Sequence, residues 1–198
     1  ACAFGTLRVN FSTSMVPSAL LNRLGRHRQP GHHCECDMDP RISPLASQLR
    51  LNATMVRRAL DGLDAETAAR RPVENVNPLA FLAVHVVDAR AYLIGILGGD
   101  ARHDWSEVFA AAQRFEDIDP RPTPEQLLET FGILSARLEA RLDSIDAESL
   151  DQPSGESFPT GDESVLGAIA FLAFHESYHV GQIALLYRAV GRGSLSGV

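Results

Sequence analysis

From Pro44 onward, long stretches whose apolar residues return every three or four positions alternate with short stretches rich in Pro, Gly, Asp and Thr. Leu45, Leu49, Ala53, Val56, Leu60 and Leu63 form a first apolar stripe, with Arg50, Arg57 and Arg58 falling off it. A period near 3.6 places such residues on one side of a helix. Leu79, Leu82, Val86, Leu93 and Leu97 form a second stripe. Leu127, Phe131, Leu134, Leu138, Leu142 and Ile145 form a third, and Val165, Ile169, Leu172, Val180, Ile183 and Leu186 a fourth.

The ends of these segments carry stop and start signals. Asn77-Pro78 suits the N-terminus of the second helix, because Asn caps well and Pro lacks only an N–H that would be unpaired there. Gly98-Gly99 ends it. Thr123-Pro124-Glu125-Gln126 predicts a capping box at the start of the third. Thr160-Gly161-Asp162-Glu163 has the same form ahead of the fourth, which should run from about Ser164 to Val190 and stop at Gly191. No alternation of period two lasts long enough for a strand. The predicted fold is all-α: a four-helix bundle with a long crossover between helices 2 and 3. The connecting stretch 99–122 should contain a short helix around Trp105, and its length lets it run along the bundle.

Composition agrees with one folded domain. The chain has 198 residues, 45% of them hydrophobic, enough for a core, and only 7% aromatic. Its formal net charge of −7 argues against a broad basic surface for nucleic acid. No apolar run reaches the roughly 18 residues a membrane span needs, so no membrane partner is expected. Cys2, Cys34 and Cys36 all precede the periodic region, so no disulfide framework holds the core, and a cytoplasmic location is the simplest expectation.

Residues 1–40 differ from the rest. They lack a helical period, and up to His33 they contain Arg8, Arg23, Arg26 and Arg28 but no acid. A transit peptide can have this composition. A poorly ordered tail, or sequence upstream of a domain that starts near Met38, is the simpler expectation. His32, His33, Cys34 and Cys36 lack a second ligand pair at a defined distance and read as adventitious metal binders. The expected domain is 41–193, with 194–198 as a C-terminal tail.

Of seven histidines, only His85, His175 and His179 fall in the four main helices. His27, His32 and His33 lie in the tail and His103 in the long connection. His175 and His179 stand at i and i+4, so both rings leave one face a turn apart and can reach one ion. Imidazoles near an apolar stripe each need a hydrogen-bond partner or a metal. One divalent transition metal on all three would satisfy them together and leave open coordination positions, as in a reactive site. The string His175-Glu176-Ser177-Tyr178-His179 matches the zinc-protease motif, but no His, Asp or Glu follows His179 to act as third ligand. Glu176 points about 100° away from His175 around the helix. It is the candidate catalytic base, with ligand orientation and simple solvation as the other readings. Asp88 is a candidate partner for the free N–H of a ligating histidine, or a solvated acid. Tyr178 and Gln182 are candidates for substrate contact or for hydrogen bonding at the core edge, and Gly181 for close approach of a neighbouring helix.

Ala173-Phe174-His175-Glu176-Ser177-Tyr178-His179-Val180-Gly181-Gln182-Ile183 resembles the signature of the DinB-like metal-binding proteins, damage-inducible four-helix bundles. Leu82-Ala83-Val84-His85-Val86-Val87-Asp88 resembles the apolar-His-apolar-apolar-Asp setting of that family's second helix. The likeness spans roughly Pro44 to Gly193. It implies a bundle that is often dimeric, with nickel, zinc or a similar ion on His85, His175 and His179. Some relatives are thiol S-transferases that use bacillithiol, mycothiol or glutathione. The expectation is therefore a metal-dependent thiol S-transferase acting on an electrophilic small molecule, with zinc or nickel, a low-molecular-weight thiol cosubstrate and a homodimeric state. A metal-dependent hydrolase and a non-catalytic, stress-associated metal-binding protein are the alternatives.

Overall fold

The computed structural model describes residues 38–112 and 114–195. The tail cluster of His and Cys therefore lies outside the described residues. Four long helices, α1 (Ser43–Leu60), α3 (Leu79–Ile96), α5 (Pro124–Ser144) and α7 (Val165–Ala189), are joined through short helices α2 (Ala65–Ala69), α4 (Ser106–Ala111) and α6 (Ala147–Leu150). Among the described residues there is no strand.

Local chemistry sets the boundaries. Thr123 accepts from the Gln126 N–H at 3.2 Å and Gln126 returns a bond to the Thr123 N–H at 2.9 Å, so the predicted capping box forms. At α7 the cap is Ser164, four residues after the Thr160 that the Thr-Gly-Asp-Glu pattern would place there. The Ser164 hydroxyl accepts from Gly167 N–H at 3.0 Å, and Asp162 braces that serine. α3 begins after Pro78 and is closed by Gly98, whose φ of 68° suits a residue without a Cβ. The short helix after Trp105 is present as α4.

Side-chain contacts give the helix directions. Arg90 of α3 reaches Ser135 Oγ at 2.7 Å, and Arg141 Nε reaches the Leu97 carbonyl at 2.9 Å. The earlier residue of each helix meets the earlier and the later meets the later, so α3 and α5 are parallel neighbours, and the long connection is the crossover that carries the chain back along the bundle. Arg50 pairs with Glu139 at 2.6 Å while Arg41 pairs with Asp151 at 2.6 Å, so α1 runs antiparallel to α5. Gln48 and Asn52 donate to Ser177 Oγ at 2.8 and 2.9 Å, and Arg58 reaches the Leu195 carbonyl at 3.1 Å, so α1 and α7 are parallel. α3 and α7 run antiparallel.

α3 departs from its single predicted stripe. It is apolar on nearly every side because α2, α4, α5 and α7 all pack on it. By length and composition alone it is apolar enough to cross a membrane, which corrects the expectation that no such segment exists. Most of it is buried inside the bundle instead. Its partly exposed positions within the helix are Phe81, His85, Asp88, Tyr92, Gly95 and Ile96. The first four are spaced three and four apart and form one strip along the seam with α7. At the other end Leu195 is buried, so the domain extends past the expected boundary at 193.

Candidate metal centre

α3 supplies one imidazole and α7 two. Because the helices are antiparallel, His85 stands level with the turn between His175 and His179. The His85 Nε2 lies 3.2 Å from His175 Nε2, and His179 Nε2 lies 3.1 Å from the same atom. The rings meet edge to face, with centroids 4.5 to 5.0 Å apart. One ligand atom from each residue falls within 4.8 Å of the others, and the trio could hold a metal ion.

Protonation supports the same geometry. Burial first, and then the neighbouring imidazoles, pull His85 down from the usual histidine value to about 3. Burial and His179 pull His175 down to about 4. Burial lowers His179 as well, opposed by its bond to Gln182. All three rings are therefore neutral at pH 7, the form that binds metal. Gln182 Oε1 sits 2.7 Å from His179 Nδ1. An amide oxygen only accepts, so Nδ1 carries the hydrogen and Nε2 keeps its lone pair for the centre. His175 Nδ1 is buried and has no partner among the described residues. Three ring nitrogens crowded at a common point, with one back nitrogen orphaned, are poorly satisfied by hydrogen bonds between themselves. A cation shared by the three Nε2 atoms fits the donor set.

A model of the DinB superfamily matches residues 48–183. The chain belongs to the DinB superfamily. The match takes in all three histidines and ends on Ile183, directly after Gly181-Gln182. No curated protein matches the chain.

Other candidate residues of this DinB-superfamily chain fall in different surroundings. Glu176, expected as a base, is only 3% exposed, and both its oxygens are held by Arg90, Nε to Oε2 at 2.9 Å and Nη2 to Oε1 at 2.6 Å. Arg90 is equally buried and also donates to the Leu49 carbonyl at 3.1 Å and lies 4.4 Å from the Phe131 ring centre. Glu176 is thus turned into the bundle, and its geometry supports an interior ion pair in place of base chemistry. Asp88 makes no hydrogen bond or ion pair among the described residues, so it does not accept from a histidine as expected. Burial alone raises it to about 6. Tyr178 is 52% exposed and sets its edge against His179 at 5.2 Å. Gly181 is exposed, and nothing lies within 4 Å of where its Cβ would be, so no internal helix approaches there.

Arg90 was not singled out in the sequence. Its signal was the one basic side chain of a mostly apolar helix, which needs an acid partner if it is buried. The loop before α7 also matters. Phe158 is buried there and stacks on Phe171 at 4.8 Å, which in turn lies 6.0 Å from the His175 ring. Glu156 of the same loop bonds Tyr92 of α3. The loop therefore closes one end of the seam whose floor is the three imidazoles.

Proposed function

We propose that this protein is a metal-dependent enzyme that transfers a low-molecular-weight thiol to an electrophilic small molecule. The observation that carries this reading is the convergence of three neutral imidazoles on one point at the floor of a partly open seam between α3 and α7. His85, His175 and His179 would hold a divalent transition metal, zinc or nickel. When bound, such an ion supplies a Lewis acid that depresses the pKa of a thiol or water. Gln182 fixes the His179 tautomer. Burial keeps the three rings neutral and ready to bind at physiological pH. Phe171 and Phe158 keep water from one end of the seam, and Tyr178 offers an aromatic edge to a substrate at the mouth.

Three histidines complete no tetrahedral sphere, and among the described residues no carboxylate joins them within 4.8 Å. That open position favours catalysis over a sealed metal store. It equally admits hydrolysis through an activated water. A reducing cytoplasm, where free thiols persist, suits the transferase reading. Phe174, Tyr178 and Leu185, exposed together along α7, favour a homodimer.

The test is elemental analysis of protein purified without a histidine tag, followed by conjugation assays with several small thiols and a model electrophile. One zinc or nickel per chain and metal-dependent conjugation are expected. Stoichiometric metal without conjugation to any thiol removes the transferase reading and leaves the hydrolase or the non-catalytic protein.

A further inference from the structure

We infer that the protein carries a second ligand site, away from the metal centre, for a small monocarboxylic acid with an apolar body. The site is a cleft of about 300 Å³ where α2, the first half of α3, the end of the crossover and the start of α5 meet.

Small side chains leave this space open. Ala68 of α2 and Ala80 of α3 line it, together with Val84, Phe115, Ile118 and Leu127, all of them apolar and buried. The volume is that of about ten liquid waters. Water in such a place needs two to four polar partners, and these side chains offer none. Protein interiors close voids of this size, because the walls of an empty one lose their dispersion contacts. An apolar body of about ten non-hydrogen atoms fits the space, which matches the smaller pockets that take small molecules.

The mouth carries a cation whose hydrogen-bonding edge is unused. Arg121 lines the cleft from the segment before α5, and its guanidinium lies over the Phe115 ring, 4.6 Å from the ring centre. Stacking holds the group flat and leaves its N–H edge free. Among the described residues no hydrogen bond or ion pair takes that edge, whereas Arg41, Arg50, Arg71, Arg90 and Arg192 each meet a carboxylate. The fork of a guanidinium matches a carboxylate in two parallel bonds. Thr123 and Pro124 also line the cleft, so the positive end of the 21-residue α5 adds to the same field. Glu66 is the one acid of the lining, and it opposes a second negative charge on the ligand. The apolar floor excludes a charge at the far end. A monocarboxylate with a hydrocarbon tail therefore fits better than a dicarboxylate or a phosphate ester.

The cleft is distinct from the seam. No histidine lines it, and Val84 stands about 100° around α3 from His85.

The experiment titrates octanoate, octanol and suberate into the full chain as purified, followed by calorimetry and by backbone amide shifts. Octanoate should bind one per chain with a Kd at or below about 1 mM, with shifts concentrated at Ala68, Val84 and Leu127. Suberate should bind at least about 10-fold more weakly. Arg121→Met keeps an apolar stem against Phe115 and should weaken octanoate about 10-fold or more while leaving octanol within about 2-fold. Ala69→Leu, at another lining position, fills the cleft and should weaken octanoate and octanol alike. His175→Ala should bind octanoate as the native chain does. Circular dichroism and thermal melting check that each variant folds. Should Ala69→Leu fail to fold, Arg121→Met, at an exposed position, still decides. No saturable octanoate binding at about 10 mM, or equal binding by the native chain and Arg121→Met, overturns the site. Loss of octanoate binding in His175→Ala places the acid at the seam and overturns it too. None of these outcomes touches the thiol-transfer reading, which stands on the metal.

Discussion

α3 and α7 are joined by two polar clusters about a turn apart, and the two are opposites. On the interior side, Arg90 and Glu176 saturate each other through two short hydrogen bonds, with the Leu49 carbonyl, Ser135 and the face of Phe131 completing the shell. On the seam side, three imidazoles crowd nitrogen against nitrogen, and among the described residues His175 Nδ1 and Asp88 have no partner. One pair of helices thus carries a finished polar site and an unfinished one. The finished site fixes how the helices meet. The unfinished one leaves ring nitrogens that no other described residue satisfies.

The largest effect should come from breaking the finished site. Arg90→Met leaves Glu176 buried and unpaired and should cost about 3–5 kcal/mol in chemical denaturation. Arg90→Met with Glu176→Leu should recover most of that loss, because the charge to be compensated is gone. A single variant that unfolds like the native chain would show that the pair contributes nothing.

The unfinished site should respond to ligand where the finished one does not. Zinc at a thousandfold excess over its dissociation constant should stabilise the native chain by about 4 kcal/mol. His175→Ala should abolish that gain while leaving metal-free stability nearly unchanged, as read by thermal shift with and without metal. Gln182→Leu frees the His179 tautomer and should weaken metal binding about 10- to 100-fold by titration.

pH separates the clusters further. The folded-state pKa values of His85 and His175 lie below the unfolded value of 6.5, at about 3 and 4. The unfolded chain therefore binds more protons in that window, and metal-free stability should fall as pH drops from 6.5 toward 4. Replacing the three histidines with Ala should flatten that part of the curve. Asp88 has the opposite sign. Its folded pKa is raised from 3.8 to about 6, so stability is lost as pH climbs through that range. Asp88→Asn should gain on the order of 1 kcal/mol at pH 7 and nothing below about pH 4, in urea unfolding at the two pH values.

Much of this was legible in the chain. The Thr123–Gln126 box, the i, i+4 spacing of His175 and His179, and the punctuation by Gly98 and Gly191 each rest on local chemistry that tertiary structure did not override. The long crossover followed from connection length. What the sequence hid lies mostly in α3. A helix apolar on nearly every side gives no preferred face, so its pattern could not tell that Arg90 points inward to Glu176 while Asp88 lies on the open strip. For the same reason Glu176 looked available, since its partner is 86 residues away in sequence. The approach of Phe158 to Phe171 was equally invisible, because a loop carries no period.

Two of the three histidines that meet at the seam lie in α7, the last long helix to be made. A chain still on the ribosome, with α1, α3 and α5 complete, has an empty trough where α7 belongs and a single imidazole facing it. Arg90 waits there without its acid. The emergence of one segment therefore closes the bundle, neutralises the buried cation and assembles the three histidines together, so a chain cut short before Val165 has neither a finished core nor a place to hold an ion.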